Sequence, residues 1–600
     1  MSSRSLVRAL ALVAALVAVV APAASAQTAE RPSVVLVLTD DQRWDTLSAM
    51  PNVRRELVGR GVTFSNGFVV NSLCCPSRAS ILTGLYSHST GVYLNTGRYG
   101  GFAAFRDAST VATWLQAVGY RTGYVGKYLN GYSPLSGYVP PGWSHWTAFA
   151  GRYDEYWLNR NGAPTWHGRE PSEYSTDVLA DDAVRFLRET AGPLFLVYAP
   201  YAPHSPATPA QRHAGALADL EPWRPASYNE ADVSDKPAWL RARPLLEPAQ
   251  QNAIDEFRRD QLRSLLAVDE GVGRIVEALR ETGRLENTLI AYTSDNGFAW
   301  GEHRRTSKMD PYEESIRVPF VVRYDALVRS PRRDRRLVLN IDLAPTFADV
   351  AGIVPPYVEG ASLVPLLTSP DVPWRADFLV EHLRSTPTNH GIPSYCAVRN
   401  ARSIFVSYET GEEELYDLVA DPHQLENLAA SPERAAQLRG RRARLRQLCN
   451  PPPPVACTIF GTKGDDVLRG TANYDVVCAR EGWDEIHAGP SNDVVIAGSG
   501  GDRVWGGDGN DSLSGGSGND VLRGRAGTDR LFGDGGNDSI AARDAARDDV
   551  VCGPGRDIVL ADHVDRLARD CEVIRRAEEP VTRPPDRRAP AARRTPSSSP

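Results

Sequence analysis

The sequence predicts an α/β domain that ends in a small antiparallel sheet, followed by a separate all-β repeat domain. Three observations carry that expectation. Apolar, β-branched runs alternate with helix-period segments across residues 30–385. Short strand-like segments, Tyr395–Arg399, Ser403–Tyr408 and Glu414–Leu418, follow within residues 386–450. Past a stiff Pro-rich linker at 451–456, aspartate recurs every nine residues through a glycine-rich tract, within residues 457–572. Six hundred residues also exceed what one hydrophobic core accommodates.

Residues 1–26 read as a secretion signal. Arg4 and Arg8 form the charged start, Ala9–Val20 the apolar run, and Ala24-Ser25-Ala26 the small-residue cleavage site. The run is short for a bilayer span, and nothing later in the chain resembles one. The expectation is therefore a secreted, extracellular protein with no stable membrane insertion. A net charge of −7 gives no reason to expect nucleic acid as a partner. Residues 573–600, rich in Pro, Arg and Ser, read as a disordered tail.

Ser33–Thr39 is a continuous apolar run, the pattern of a strand buried on both faces, and it delivers Asp40 and Asp41 to its C-terminal end. Leu289–Ser294 does the same for Asp295 and Asn296. A third strand is expected at Leu194–Tyr198, and helices at Ser175–Glu189 and Glu256–Glu281. Two strand ends thus offer three carboxylates and one amide, hard oxygen ligands suited to Ca2+ or Mg2+.

Between these strands lies Cys74-Cys75-Pro76-Ser77-Arg78-Ala79-Ser80-Ile81-Leu82-Thr83-Gly84. Adjacent cysteines otherwise read as buried thiols, since neighbours rarely bridge each other. This CxPSRxxxLTG string resembles that of type I sulfatases, the formylglycine-dependent members of the alkaline phosphatase superfamily. The resemblance implies an alkaline-phosphatase-like fold. It also implies that a formylglycine-generating maturation enzyme oxidises Cys74 to the aldehyde formylglycine. Asp40, Asp41, Asp295, Asn296 and the residue-74 oxygen would hold the divalent metal, and Arg78 would hold the formylglycine.

Further residues match the family's pattern. Lys127, in Gly126-Lys127-Tyr128, matches its first lysine, His204 its sulfate-contacting histidine, and Lys308 its second lysine. Taken singly these are a turn lysine, a rigid-loop histidine and part of a charged surface beside Arg304 and Arg305. Leu129 departs from the pattern, standing where many arylsulfatases carry a histidine, so whatever that histidine does must fall to another group. Asn340–Thr346 and Glu414–Leu418 are further landmarks, and the resemblance covers residues 30 to about 450. Gly126–Asn130 and the loop around His204 look most like N-acetylglucosamine-6-sulfatases.

In this family's chemistry one hydroxyl of the hydrated aldehyde attacks sulfur, and His204 or Lys308 would protonate the leaving alcohol. The second hydroxyl then expels sulfate.

In the repeat tract, Asp466 through Asp538 fall at intervals of nine, each with an apolar residue two positions later, such as Leu468, Leu513 and Leu522. This resembles an RTX-type calcium-binding β-roll, with structural Ca2+ held by aspartates such as Asp511 and Asp520. Gly506–Asp511 and Gly515–Asp520 are complete repeats, whereas Gly470–Asp475 lacks the inner glycine. Of eight cysteines, six fall in separable pairs, Cys396 with Cys449, Cys457 with Cys478 and Cys552 with Cys571, although spacing does not fix the connectivity.

The function expected is a secreted sulfatase acting on sulfated carbohydrate, such as N-acetylglucosamine 6-sulfate. Two alternatives stand beside it: hydrolysis of other sulfate, phosphonate or phosphate esters, and a non-catalytic calcium-binding surface protein.

Overall fold

A computed structural model describes residues 31–369, 371–384, 391–450, 457–568 and 570–576. The expected signal segment, the linker and the chain beyond residue 576 lie outside the described residues. No helix among the described residues is long and apolar enough to cross a membrane.

Ten strands form the main sheet: β1 (Ser33–Thr39), β2 (Val62–Phe68), β3 (Arg121–Lys127), β4 (His145–Phe149), β5 (Tyr156–Arg160), β6 (Ala163–His167), β7 (Leu194–Ala199), β8 (Thr288–Ser294), β9 (Phe320–Arg323) and β10 (Arg332–Leu339). Their order is β10-β2-β9-β8-β1-β7-β3-β4-β5-β6. β1 is central and parallel to both β7 and β8, pairing Val34 with Phe195 and Leu289. Its side chains alternate between two cores. Val34, Leu36 and Leu38 pack with Ile81, Leu115 and Phe347 on one face. Val35 and Val37 pack with Leu179, Leu265 and Val268 on the other. Both faces are covered by helices, so β1 shows no polar alternation, as its sequence requires.

Helix Ser175–Glu189 falls where the sequence places it. The long helix runs Pro248–Glu281, starting eight residues before the expected Glu256. Pro248 presets φ for the first turn, and Glu247 and Gln250 form a reciprocal capping box, which together extend the helix into a polar segment.

A second, antiparallel sheet has four strands, Asp377–His382, Tyr395–Asn400, Ser403–Tyr408 and Glu413–Asp417. One face carries Leu379, Val398, Phe405 and Leu415 against Leu438 and Leu445 of helix Ala435–Leu448. The Cys396–Cys449 disulfide ties that helix to the sheet. The other face, with Phe378, Tyr395 and Val406, packs on Phe68, Tyr312 and Ile341 of the main domain. Buried Glu414 accepts hydrogen bonds from the Tyr312, Tyr408 and Tyr416 phenols at 2.6–2.7 Å, tying the small sheet to the main-domain loop that carries Tyr312.

The repeats form a β-roll of two seven-stranded parallel sheets, running from Ile459–Phe460 to Val573–Arg576. Through the regular repeats each turn pairs with the residue eighteen positions on, as Leu468 with Ile486 and Val504 with Leu522. The inward side chains make a thin core of Val477, Ile486, Val495, Val504, Leu513, Leu522, Leu531 and Ile540.

The roll outruns the nine-residue register. Further turns carry Asp548, Asp557 and Asp565 at uneven spacing, and Val573–Arg576, expected as tail, is its last strand. Glu572 substitutes there for aspartate, accepting the Asp557 N–H at 3.0 Å. Disulfides Cys457–Cys478 and Cys552–Cys571 close the first and last turns.

His88, just past the cysteine motif, fastens the main domain to the second sheet. It pairs with Glu359 at 3.2 Å and with Glu381 of strand Asp377–His382. Burial alone would lower its pKa, but the two carboxylates outweigh burial and lift it from 6.5 to about 10. A folded pKa above the unfolded one contributes stability that is full below pH 6.5 and lost as pH rises through about 10. His88→Gln should therefore cost roughly 3 kcal/mol near pH 6. In paired thermal melts of variant and parent, that difference should shrink toward pH 11; a constant gap would refute the pairing.

Candidate active site

The site forms where β1 and β8 end side by side. Asp40 and Asp41 leave β1, and Asp295 and Asn296 leave β8. All four are at most 2% exposed. Asp41 takes φ of +66°, a left-handed conformation that aspartate tolerates better than most residues. Its N–H donates to Asp295 Oδ1 at 3.1 Å, and Asn296 Nδ2 donates to Asp41 Oδ1 at 2.7 Å.

Helix Cys74–Thr83 brings the motif to this point. It begins at Cys74 after extended Leu73, and Gly84 ends it in the left-handed conformation, φ +74°, donating to Ser80 O. The closing glycine of the string is thus a helix C-cap. Asn340, in the later landmark, donates to Ser77 Oγ at 2.9 Å and pins the helix from below.

Cys74 Sγ lies 2.8 Å from Lys308 Nζ, 3.6 Å from Asp40 Oδ1 and 4.0 Å from Asp41 Oδ1. Lys308 also pairs with Asp41. Lys127, at the end of β3, sits 2.5 Å from Asp40 Oδ2. Arg78 donates from Nε to Asp295 Oδ2 at 2.7 Å and from Nη1 to Lys127 O at 2.6 Å.

These charges set one another's ionisation. Burial pushes Asp40 and Asp41 up, but Lys127, Lys308 and His204 outweigh it and hold both below the usual carboxylate range. Burial would lower Lys127 and Lys308, yet the carboxylates raise both above an ordinary lysine. Burial pushes the Cys74 thiol up to about 12, so as cysteine it stays protonated at neutral pH.

His204 is the open side of the site, with a quarter of its side chain exposed. Its Nδ1 donates to Ser205 O at 2.8 Å, which turns Nε2 toward Asp41 Oδ2 at 3.7 Å. The structure thus brings together every residue singled out in the sequence for this site. Leu129, by contrast, is fully buried in the apolar core.

Three supporting residues escaped the sequence reading. Tyr201 stacks on His204 and lies 5.4 Å under Lys127 Nζ, Tyr124 donates to Lys127 O, and Ser294 Oγ accepts the Gln42 N–H. Nothing but proximity to Lys127, His204 and the acidic pairs marks them in sequence.

A hard divalent cation fits the donors present. Ligand atoms of Asp40, Asp41, Cys74 and His204 lie within 4.8 Å of one another, and buried Asn296 Oδ1 has no hydrogen-bond partner.

In the β-roll the aspartates form two ladders. From Asp466 to Asp520 each backbone N–H donates to the carboxylate eighteen residues on, as Asp493 to Asp511 Oδ1 and Asp502 to Asp520 Oδ1, both at 2.8 Å. The second oxygens, from Asp484 to Asp557, are buried without partners. Burial pushes Asp511 up to about 8 and Asp520 to about 7. A Cβ on Gly506 would lie 2.3 Å from Asp511 Oδ2, so glycine is required beside the carboxylate. Asp466 and Asp475 differ: Thr462 and Thr471 donate to their second oxygens and satisfy them.

The mixed sheet, with its acidic strand ends and buried cations, defines an alkaline-phosphatase-like ester hydrolase. The chain belongs to the sulfatase family, whose description it matches over residues 32–353, and so to the sulfuric ester hydrolases. Residues 301–450 match the N-sulphoglucosamine sulphohydrolase C-terminal family, and 458–482, 479–513 and 505–540 the RTX calcium-binding nonapeptide repeat. The chain is 33% identical to N-acetylglucosamine-6-sulfatase of Capra hircus, over 71% of this chain and 85% of that one. It is 34% identical to an extracellular sulfatase of Drosophila melanogaster over 58% of this chain, but spans only 33% of that protein. A structure solved in complex with its substrate, D-glucosamine-2-N,6-O-disulfate, superimposes with a TM-score of 0.61 at 27% identity, covering 70% of this chain and 98% of that one.

The orphaned carboxylate oxygens predict that chelation unfolds the roll. Circular dichroism of the full chain should lose β signal in EDTA and regain it with calcium. Asp511→Ala should lower the amount of bound calcium, whereas Thr471→Val should not; equal stoichiometry in both would refute the assignment.

Proposed function

We propose that this protein is a secreted, formylglycine- and divalent-metal-dependent sulfatase that removes sulfate from sulfated amino sugars such as N-acetylglucosamine 6-sulfate. The observation that carries the reading is the setting of Cys74: a fully buried side chain beginning a helix, within 4 Å of two carboxylates and a lysine. A thiol held protonated there is a poor nucleophile, whereas an aldehyde hydrate at the same position presents oxygen toward the carboxylates. The substrate class is supported by the 6-sulfatase relatives and by the disulfated glucosamine bound in the related structure.

Asp40, Asp41, Asp295 and Asn296 would hold the cation, which when bound supplies Lewis acidity to the oxygen nucleophile and the ester. Lys127 and Arg78 stay charged and offset the negative oxygens of the sulfuryl group. Lys308 faces residue 74 and would hold the nucleophile in position. His204, at the open side, would protonate the leaving alcohol through Nε2.

A mass spectrum of tryptic peptide Gly61–Arg78 tests the central claim. Conversion of Cys74 removes about 18 Da; active protein with two intact thiols would overturn it. His204→Ala should lower turnover of a sugar sulfate by about 10²–10⁴ and that of 4-nitrophenyl sulfate far less, because nitrophenolate leaves without a proton. Parallel assays on phosphate and phosphonate esters separate this reading from the broader ester hydrolase.

A further inference from the structure

One roll sheet holds strands Val467–Arg469, Glu485–Pro490, Arg503–Asp508 and Val521–Ala526, paired in parallel. Their inward residues, Leu468, Ile486, Val504 and Leu522, fill the core. The alternate residues point outward, and a single register row reads Arg469, His487, Trp505, Arg523. His487 stacks on Trp505 at 4.5 Å with the rings 5° apart, and the Arg523 guanidinium lies 5.7 Å from the same indole. Arg503 stands two residues before Trp505, and Arg525 two after Arg523.

This row is predominantly cationic. Arg469, Arg503, Arg523 and Arg525 are exposed, and among the described residues none makes a side-chain ion pair or hydrogen bond. With Arg575 the outer face carries five arginines, against Glu485, which pairs with His487 and also attracts Arg469 and Arg503, and exposed Asp508 at the end of its strand. The chain as a whole carries a net charge of −7, so the face opposes the charge of the molecule around it. From Arg469 to Arg523 is three strand spacings, about 14 Å at ~4.8 Å each. That length suits several anionic groups in series rather than one. Guanidinium forks, splayed on a rigid sheet and braced by an indole, match the oxygens of sulfate esters.

We propose that this outer face is a non-catalytic binding site for sulfated polysaccharide, which Arg469, Arg503 and Arg523 grip while the active site works along the chain. The proposal rests on the sulfated-sugar reading above, and charge complementarity selects the occupant. The roll reaches the main domain through its edge, where Asn492 Nδ2 donates to Thr410 O at 3.4 Å, so the arginine face stays open.

The test uses the full chain with calcium and immobilised heparin at physiological salt. Replacing Arg469, Arg503 and Arg523 together by Gln should weaken binding about tenfold or more, and together by Lys should preserve most of it. Turnover of 4-nitrophenyl sulfate should be equal in all three proteins, while kcat/KM on the polymer falls with the Gln variant alone. Unchanged heparin affinity in the Gln variant would overturn the proposal, as would duplex DNA competing as well as heparin. If the parent binds heparin but cleaves no sulfate ester, the sulfatase reading fails while the face is confirmed as a polyanion site.

Discussion

Three carboxylates buried in one site repel one another, and the catalytic half of the molecule is arranged to relieve that repulsion. Asp40, Asp41 and Asp295 come from neighbouring parallel strands, so their closeness is a consequence of sheet register. Unpaired burial of even one such charge costs several kcal/mol. Three cations answer them, each from a different element: Arg78 from the motif helix, Lys127 from β3 and Lys308 from the loop after β8. The site is assembled only when all of these dock, which couples the chemistry to the tertiary fold rather than to any one segment. Residue 74 sits where these charges balance.

The β-roll meets the same problem with a different solution. Its aspartates are also buried, yet the ladder recruits no lysine or arginine inward; one oxygen takes a backbone N–H and the other is left unmatched. The two ends escape: a threonine supplies the missing donor to Asp466 and to Asp475, and the Asp562 N–H supplies it to Asp565. The arginines of the roll instead point outward, where they neutralise nothing in the carboxylate ladder. One chain therefore contains a carboxylate site partly offset by its own cations and a carboxylate stack that relies on external ones alone.

How much of this was legible follows from how local each signal is. β1 could be read end to end because a strand buried on both faces must be apolar throughout. The acidic pairs were legible because they terminate such strands, and the cysteine motif because its string is long. The start of helix Pro248–Glu281 was not, since a proline and a capping box act before any apolar period begins. The last turns of the roll were hidden by slips in spacing, and Glu572 by a change of residue that preserves only the acceptor. Tyr124 and Tyr201 carry no signal beyond nearness to Lys127 and His204: their roles exist only once β3 and the His204 loop meet.

The attachment of the roll also constrains what it can do. Arg384 pairs with Glu409 at 3.0 Å and lies 4.3 Å from the Tyr474 ring, and its Nη1 donates to Tyr474 O at 3.4 Å. Tyr474 and Asn492 both belong to one edge of the roll, at the turns that lead into its second sheet. An edge contact leaves both sheet faces in solvent, whereas packing through a face would have buried the arginine row. It also places a turn that needs no metal, the one closed by Thr471 and Asp475, against the main domain. The junction therefore combines a turn closed by its own threonine with the neighbouring turn at Asn492, whose Asp493 Oδ2 is unpartnered.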